Sequence, residues 1–120
     1  GMYAAAVPKF IEALANGKEP FITGNGKQFR DFIYIEDVVD FIVKLAESDI
    51  TGETFNVGSG KSTSINALYE NLCNLLKKRV EPKYIDPVDE PNTLAGIEKA
   101  EKLLGWRPRF SLIEGLIKTI

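Results

Sequence analysis

The sequence has no histidine and a single cysteine, Cys73, among its 120 residues. Without histidine there is no Ser-His-Asp triad, no His-ligated zinc, and no side chain that ordinarily titrates near neutral pH to serve as a general base. One cysteine excludes an internal disulfide framework. It fits a reducing compartment, so a cytoplasmic location is expected. Positive charge is not in excess: 15 Lys and Arg stand against 17 Asp and Glu, a net charge of −2. That gives no general electrostatic case for nucleic acid or for an anionic membrane surface. No apolar run approaches the ~20 residues of a membrane-spanning helix. Internal repeats and low-complexity stretches are also missing. What is present, 44% hydrophobic and 27% charged residues, is the balance of one globular domain with a modest core. Gly1-Met2 reads as a tag-cleavage scar, leaving residues 3–120 as the domain.

The stretch from Phe29 to Val39, FRDFIYIEDVV, organises the rest. Its first half alternates and is rich in aromatic and β-branched residues, as a buried strand should be. Glu36 and Asp37 then place carboxylates where a helix would begin, at the positive end of its dipole. Arg30-Asp31 is a charged pair inside an otherwise apolar strand. Two readings of Arg30 stand on the residues alone. It pairs with a carboxylate such as Asp31 or Glu36, or it faces a cleft and binds a phosphate, whose oxygens suit its planar fork.

Val7, Phe10, Ile11 and Leu14 recur at helical spacing between Tyr3 and Asn16, with Pro8 tolerable only near the first turn. Pro20 to Thr23 reads as a short strand and Gly24-Asn25-Gly26 as a turn. Residues 20–35 then form a hairpin, or the two strands belong to different sheets. A helix over residues 37–47 would turn Val38, Val39, Ile42, Leu45 and Ala46 inward. Glu53 to Val57 reads as a strand. Thr63 or Ser64 caps a helix running to about Lys78, with Cys73 bordering its apolar stripe as structural filler. Lys83 to Ile85 is a short strand, and Asp86 to Asn92 an irregular loop. Ile97 to Leu104 is a helix stopped by Gly105, and Ser111-Leu112-Ile113-Glu114 is a capping box for the last helix. The order α, β, β, α, β, α, β, α, α is an α/β arrangement.

Three glycine patterns need weighing. Gly58-Ser59-Gly60-Lys61-Ser62 imitates a phosphate-binding P-loop, but Phe55 stands where the first glycine is required. Gly24-x-Gly26 and Gly58-x-Gly60 approach the dinucleotide fingerprint, yet Phe29 and Thr63 replace the third glycine. Asn56 precedes the glycine turn at Gly58. The turn's backbone N–H groups offer an oxygen or phosphate site, or Asn56 merely caps the loop.

Taken together the motifs are denser than chance. They are Pro8-Lys9-Phe10-Ile11, then Gly24-x-Gly26-x-Gln28-x-Arg30-Asp31-Phe32-Ile33-Tyr34-Ile35-x-Asp37, then Phe55-Asn56-Val57-Gly58-Ser59-Gly60. Thr93-Leu94-Ala95, Leu103-Leu104-Gly105-Trp106-x-Pro108 and Ser111-Leu112-x-Glu114-Gly115-Leu116 follow in order. This set resembles the C-terminal, substrate-binding part of the NAD-dependent nucleotide-sugar epimerase/dehydratases, the extended short-chain dehydrogenases, with UDP-glucose 4-epimerase-like members most similar.

The resemblance implies a small α/β sheet with flanking helices. It also implies a parent enzyme in which NAD oxidises a sugar hydroxyl and returns the hydride after a reorientation or elimination. That chemistry belongs to an N-terminal Rossmann half and a Tyr-x-x-x-Lys pair. Here Tyr3, Tyr34, Tyr69 and Tyr84 are followed at the fourth position by Val7, Val38, Cys73 and Val88, so none has the lysine. The expectation is a chain that is not catalytic alone and holds no cofactor itself. Its partners would be a nucleotide-diphosphate sugar, most simply a UDP-sugar, and either the missing Rossmann half or a second copy. Carried over residue by residue, Arg30 is the diphosphate ligand, Phe21 and Thr23 lie along the base, and Gln28 meets ribose or phosphate. Asn56 faces the nucleotide and Pro8 borders the base. Where family members read Arg-Pro-Gly-Asp this chain reads Asp86-Pro87-Val88-Asp89, which sets carboxylates against an anion. A dTDP-glucose 4,6-dehydratase-like or sugar-nucleotide decarboxylase parent is one alternative. A non-catalytic interaction module that has lost nucleotide-sugar binding is another.

Overall fold

The computed structural model describes residues 6–86 and 96–120. The expected loop beyond Asp86, the Thr93-Leu94-Ala95 motif, Tyr3 and Gly1-Met2 lie outside the described residues. The elements are α1 (Ala6–Ala15), β1 (Phe21–Thr23), β2 (Phe29–Asp31), α2 (Ile35–Ala46), β3 (Ser62–Ser64), α3 (Ile65–Leu76), β4 (Lys83–Ile85), α4 (Glu98–Leu104) and α5 (Leu112–Thr119). The α/β order matches the sequence reading, with the third strand shifted. Two short ladders form, β1 with β4 and β2 with β3. The chain divides into two compact units. One takes the residues up to Arg30 and those from Thr63 to Thr93, with Ile120; the other takes Asp31–Ser62 and Leu94–Thr119.

The first unit is built on α1 packed against α3. Phe10 and Leu14 of α1 and Leu68, Tyr69, Leu72 and Cys73 of α3 are buried, each set recurring at helical spacing. The Phe10 and Tyr69 rings meet edge to face with centroids 5.1 Å apart. Pro8 is exposed in the first turn of α1, where a missing N–H costs nothing. Ser64 caps α3 by accepting the Ala67 N–H at 3.0 Å. β1 pairs with β4 in parallel, Phe21 opposite Lys83, Ile22 opposite Tyr84 and Thr23 opposite Ile85. Strands β1 and β2 therefore belong to different ladders, the second of the two arrangements the Asn25-Gly26 signal left open.

The second unit centres on Trp106, packed with Phe41 of α2 and Ala100 of α4 under Ile33, Leu45, Phe55, Val57, Ile97 and Leu104. The Trp106 indole donates to the Asp37 carbonyl at 3.0 Å, so its one polar atom is satisfied in the core. Gly105 ends α4 in the left-handed region, φ 64°, and the chain turns there into the Trp106 connector. The capping box forms as expected: Glu114 N–H donates to Ser111 Oγ and Ser111 N–H to Glu114 Oε1, both at 3.1 Å.

Two expectations need correction. Glu53 to Val57 is not a strand; the third strand is Ser62–Ser64. Phe55 and Val57 are drawn onto the Trp106 cluster. Lys99 pins the segment by donating to the Thr54 carbonyl at 2.8 Å and by pairing with Glu53. Helix α2 is also turned. Its buried residues are Asp37 and Phe41, while Val39, Ile42 and Ala46, expected inward, point to solvent. Phe41 goes inward because its ring packs edge to face on both Trp106 and Phe55.

Candidate functional site

Five of the six residues expected to bind a ligand, Pro8, Phe21, Thr23, Gln28 and Arg30, belong to the first unit. Asn56 belongs to the second. Phe21 and Thr23 alternate with Ile22 along β1. Ile22 is buried at 1% exposure, so the strand turns Phe21, 62% exposed, to the opposite face with half-buried Thr23.

After β1 the chain makes a tight loop back to β2, held by hydrogen bonds at several positions. The Gly24 N–H donates to the Ile85 carbonyl at 2.9 Å, the Asn66 N–H to Gly26 O at 3.0 Å and the Ile65 N–H to Gln28 O at 3.0 Å. The Lys27 N–H closes on Asn25 Oδ1 at 2.9 Å, the Asx turn that Asn favours. Gln28 reaches back across the loop, its Nε2 donating to Thr23 O at 2.9 Å and to Thr23 Oγ1 at 3.3 Å. Thr23 and Gln28 are thus brought together. A loop tied this way presents its remaining donors and acceptors in one arrangement, which lowers the ordering cost of binding.

Arg30, next along β2, is fully buried, and its Nη1 donates to the Phe29 carbonyl at 2.7 Å. In such surroundings a charge-assisted bond is stronger than the same bond in water. Its neighbour Asp31 is engaged in the second unit: the carboxylate accepts the Ser59 and Gly60 N–H groups at 2.7 and 3.0 Å and the Ser59 hydroxyl at 2.6 Å. The turn after Asn56 therefore already serves an internal anion, and Asp31 fills the role a phosphate oxygen would take there. Asn56 itself is exposed.

These bonds decide how well a dinucleotide fits. A dinucleotide pyrophosphate needs glycine-loop N–H groups pointing at the ligand. The N–H groups of Ser59 and Gly60 go to Asp31, and the Gly24–Gln28 loop is closed on Asn66, Ile65 and Ile85. Among the described residues the Ser59 and Gly60 N–H groups are thus already engaged by Asp31.

Sequence reasoning missed Asn66, Tyr84 and the role of Asp37. Asn66 Nδ2 donates to Asn25 O at 2.9 Å, and the Tyr84 hydroxyl donates to Asn66 Oδ1 at 3.0 Å. Asp37, read as a helix-dipole partner, is wholly buried and accepts the N–H groups of Arg109 and Phe110 at 2.8 and 3.1 Å. No local pattern announces any of these, because each partner is distant in sequence.

A small α/β chain of this order and geometry is that of the extended short-chain dehydrogenases. Residues 2–119 match the family model described as GDP-mannose 4,6 dehydratase. A UDP-glucose 4-epimerase of Mycolicibacterium smegmatis is 34% identical over 119 residues, covering 98% of this chain and 38% of that protein. A dTDP-D-glucose 4,6-dehydratase of Bos taurus is 34% identical over 122 residues, covering 95% of this chain and 34% of that protein. The solved structure of a UDP-glucuronic acid 4-epimerase from Bacillus cereus, in complex with UDP-glucuronic acid and NAD, superposes with a TM-score of 0.89 at 34% identity, over 93% of this chain and 37% of that one. The chain belongs to the NAD-dependent epimerase/dehydratase family. It spans little more than a third of the length of these relatives.

Proposed function

We propose that this chain is the nucleotide-diphosphate-sugar-binding region of an NAD-dependent nucleotide-sugar epimerase of the UDP-glucose 4-epimerase kind, without turnover of its own. The observation that carries the reading is the Thr23–Gln28 loop, tied down by hydrogen bonds and followed on β2 by Arg30, in a chain with relatives that act on nucleotide sugars. In this reading Arg30, buried in the free chain, has to be uncovered to meet the diphosphate, Phe21 and Thr23 lie along the base with Pro8 at its border, and Gln28 meets ribose or phosphate. A dehydratase parent is a second reading, supported by the bovine relative matching at the same 34% identity.

The proposal includes a partner. Helix α2 is apolar on two faces. Phe41 is buried, while Ile35, Val39, Ile42 and Val43 are 63, 51, 56 and 46% exposed along the other side. A helix whose apolar arc is wider than its one buried contact normally has that arc covered. The larger share of each relative's length lies outside the match. We assign the exposed row of α2 to a cofactor-binding Rossmann half, which would also supply the NAD and the reacting residues.

The test is a chemical-shift titration of the labelled chain with UDP-glucose, UDP-glucuronate, dTDP-glucose and NAD. The expected result is shifts at Thr23–Gln28 and Arg30 with a UDP-sugar, lost in Arg30→Ala and reduced in Arg30→Lys, which keeps the charge but not the fork. Absence of shifts with all three nucleotide sugars would overturn the binding role. Tight NAD binding would overturn the assignment of cofactor chemistry to another part of the parent.

A further inference from the structure

The Thr23–Gln28 loop is held by a residue that neither the glycine pattern nor the family resemblance marks. Asn66 stands one residue into α3 and contacts the loop with both backbone and side chain. Its N–H donates to Gly26 O at 3.0 Å and its Nδ2 to Asn25 O at 2.9 Å, so consecutive loop carbonyls end on one residue. The approach is close: a Cβ added to Gly26 would stand 1.9 Å from Asn66 Oδ1. Gly26 is also in the left-handed region, φ 71°, so the position needs glycine on both counts. Tyr84 of β4 completes the arrangement by donating its hydroxyl to Asn66 Oδ1 at 3.0 Å. The Asn25 carbonyl, an acceptor only, fixes which way the amide points, its nitrogen toward Asn25, which leaves its oxygen to take the Tyr84 hydroxyl.

We propose that Asn66, braced by Tyr84, is a positioning residue for nucleotide-sugar binding. It holds the Asn25-Gly26 backbone in the one conformation that presents Thr23 and Gln28 together. The inference rests on the reading that this loop meets the ligand. The chemistry asks for an amide. A carboxylate of the same shape keeps the acceptor for Tyr84 but loses the donor to Asn25 O and sets a negative charge against that carbonyl. Without the tie the loop samples other conformations, and apparent affinity falls by the fraction of time it spends in them.

The test compares Asn66→Asp and Tyr84→Phe, both nearly isosteric, with the unaltered chain, by chemical-shift titration with UDP-glucose and by urea unfolding. Asn66→Asp is expected to weaken binding about fivefold at neutral pH, the equivalent of one ordinary hydrogen bond. Affinity should recover as pH falls through the carboxylate range, because the protonated carboxyl regains a donor for Asn25 O. The unaltered chain should show no such recovery. Tyr84→Phe should weaken binding by a smaller factor. If both variants bind as the unaltered chain does, this inference alone is overturned. It also fails if affinity falls only in step with global unfolding and shows no recovery at low pH. If the unaltered chain shows no shifts with UDP-glucose, both this inference and the reading beneath it are overturned.

Discussion

The Asp31 carboxylate holds Ser59 by two bonds, accepting its N–H at 2.7 Å and its hydroxyl at 2.6 Å. A further bond comes from the Gly60 N–H at 3.0 Å. Ser59 Oγ in turn accepts the Lys61 N–H at 3.1 Å, so the whole glycine turn is organised from one side chain. This is why Gly58-Ser59-Gly60-Lys61 imitates a phosphate loop in sequence and does something else in the fold.

Asp31→Asn is therefore expected to destabilise the chain by about 2 kcal/mol, the range for hydrogen bonds to a charged acceptor. With the amide oxygen in the place of Oδ1 the two Ser59 bonds survive, while the –NH2 group faces the Gly60 N–H donor. Urea unfolding with an unchanged m-value checks the stability loss, and hydrogen exchange at Ser59 and Gly60 should speed up with it. Exposed Lys61 makes a useful contrast: Lys61→Ala should change stability by no more than about 0.5 kcal/mol. A larger effect there would mean that the lysine takes part in the turn after all.

Sequence showed most of the elements and little of their partners. The helices were legible because Phe10, Leu14, Leu68 and Leu72 recur at helical spacing, and because Ser64, Gly105 and the Ser111–Glu114 box are local signals. The orientation of α2 was not legible. Both of its faces are apolar, and the choice is made by Trp106, far along the chain. Glu53 to Val57 alternates like a strand, but packing of Phe55 and Val57 on the Trp106 cluster overrides the pattern. Asn25-Gly26 reads as a hairpin, whereas the Gly24 N–H finds Ile85 instead. The candidate site divides the same way. Thr23, Gln28 and Arg30 come from the family motif. Asn66 and Tyr84, which hold the loop, become visible only when α3 and β4 are in place.

Tyr69 supplies a pH dependence. Burial, reinforced by the neighbouring Cys73 thiol, pushes its phenol up to about 12. The raised value belongs to the folded state. The unfolded chain releases this proton near the ordinary value of about 10, so above that pH the folded state holds more protons and stability falls with rising pH. The contribution is complete below about pH 10 and gone above about pH 12. Urea midpoints at about pH 9 and about pH 11.5 should show the fall, and Tyr69→Phe should remove most of it. The same replacement deletes the bond to Val80 O, so the variant should start less stable at neutral pH, by about 1 kcal/mol. An alkaline fall of equal size in the variant would assign the effect to other groups.

The exposed row on α2 gives the last expectation. Ile35, Val39, Ile42 and Val43 lie on the side of the helix opposite Phe41, with Glu36 at the head of the helix and Lys44 near its end as the adjoining charges. Apolar surface of that kind, left without the partner proposed for it, should find another copy. Sedimentation equilibrium is expected to show concentration-dependent association of this chain. Ile42→Asp should shift it toward monomer, because a carboxylate inside an apolar contact loses its water without a counter-charge. Ile42 is already in solvent, so the same change should leave the urea midpoint nearly unmoved. That separates a docking face from a core: a buried Ile42 would lose stability and association together. A chain that sediments as a clean monomer at all concentrations would remove the case for α2 as a docking face. The proposed place of the Rossmann half would then have to be sought elsewhere.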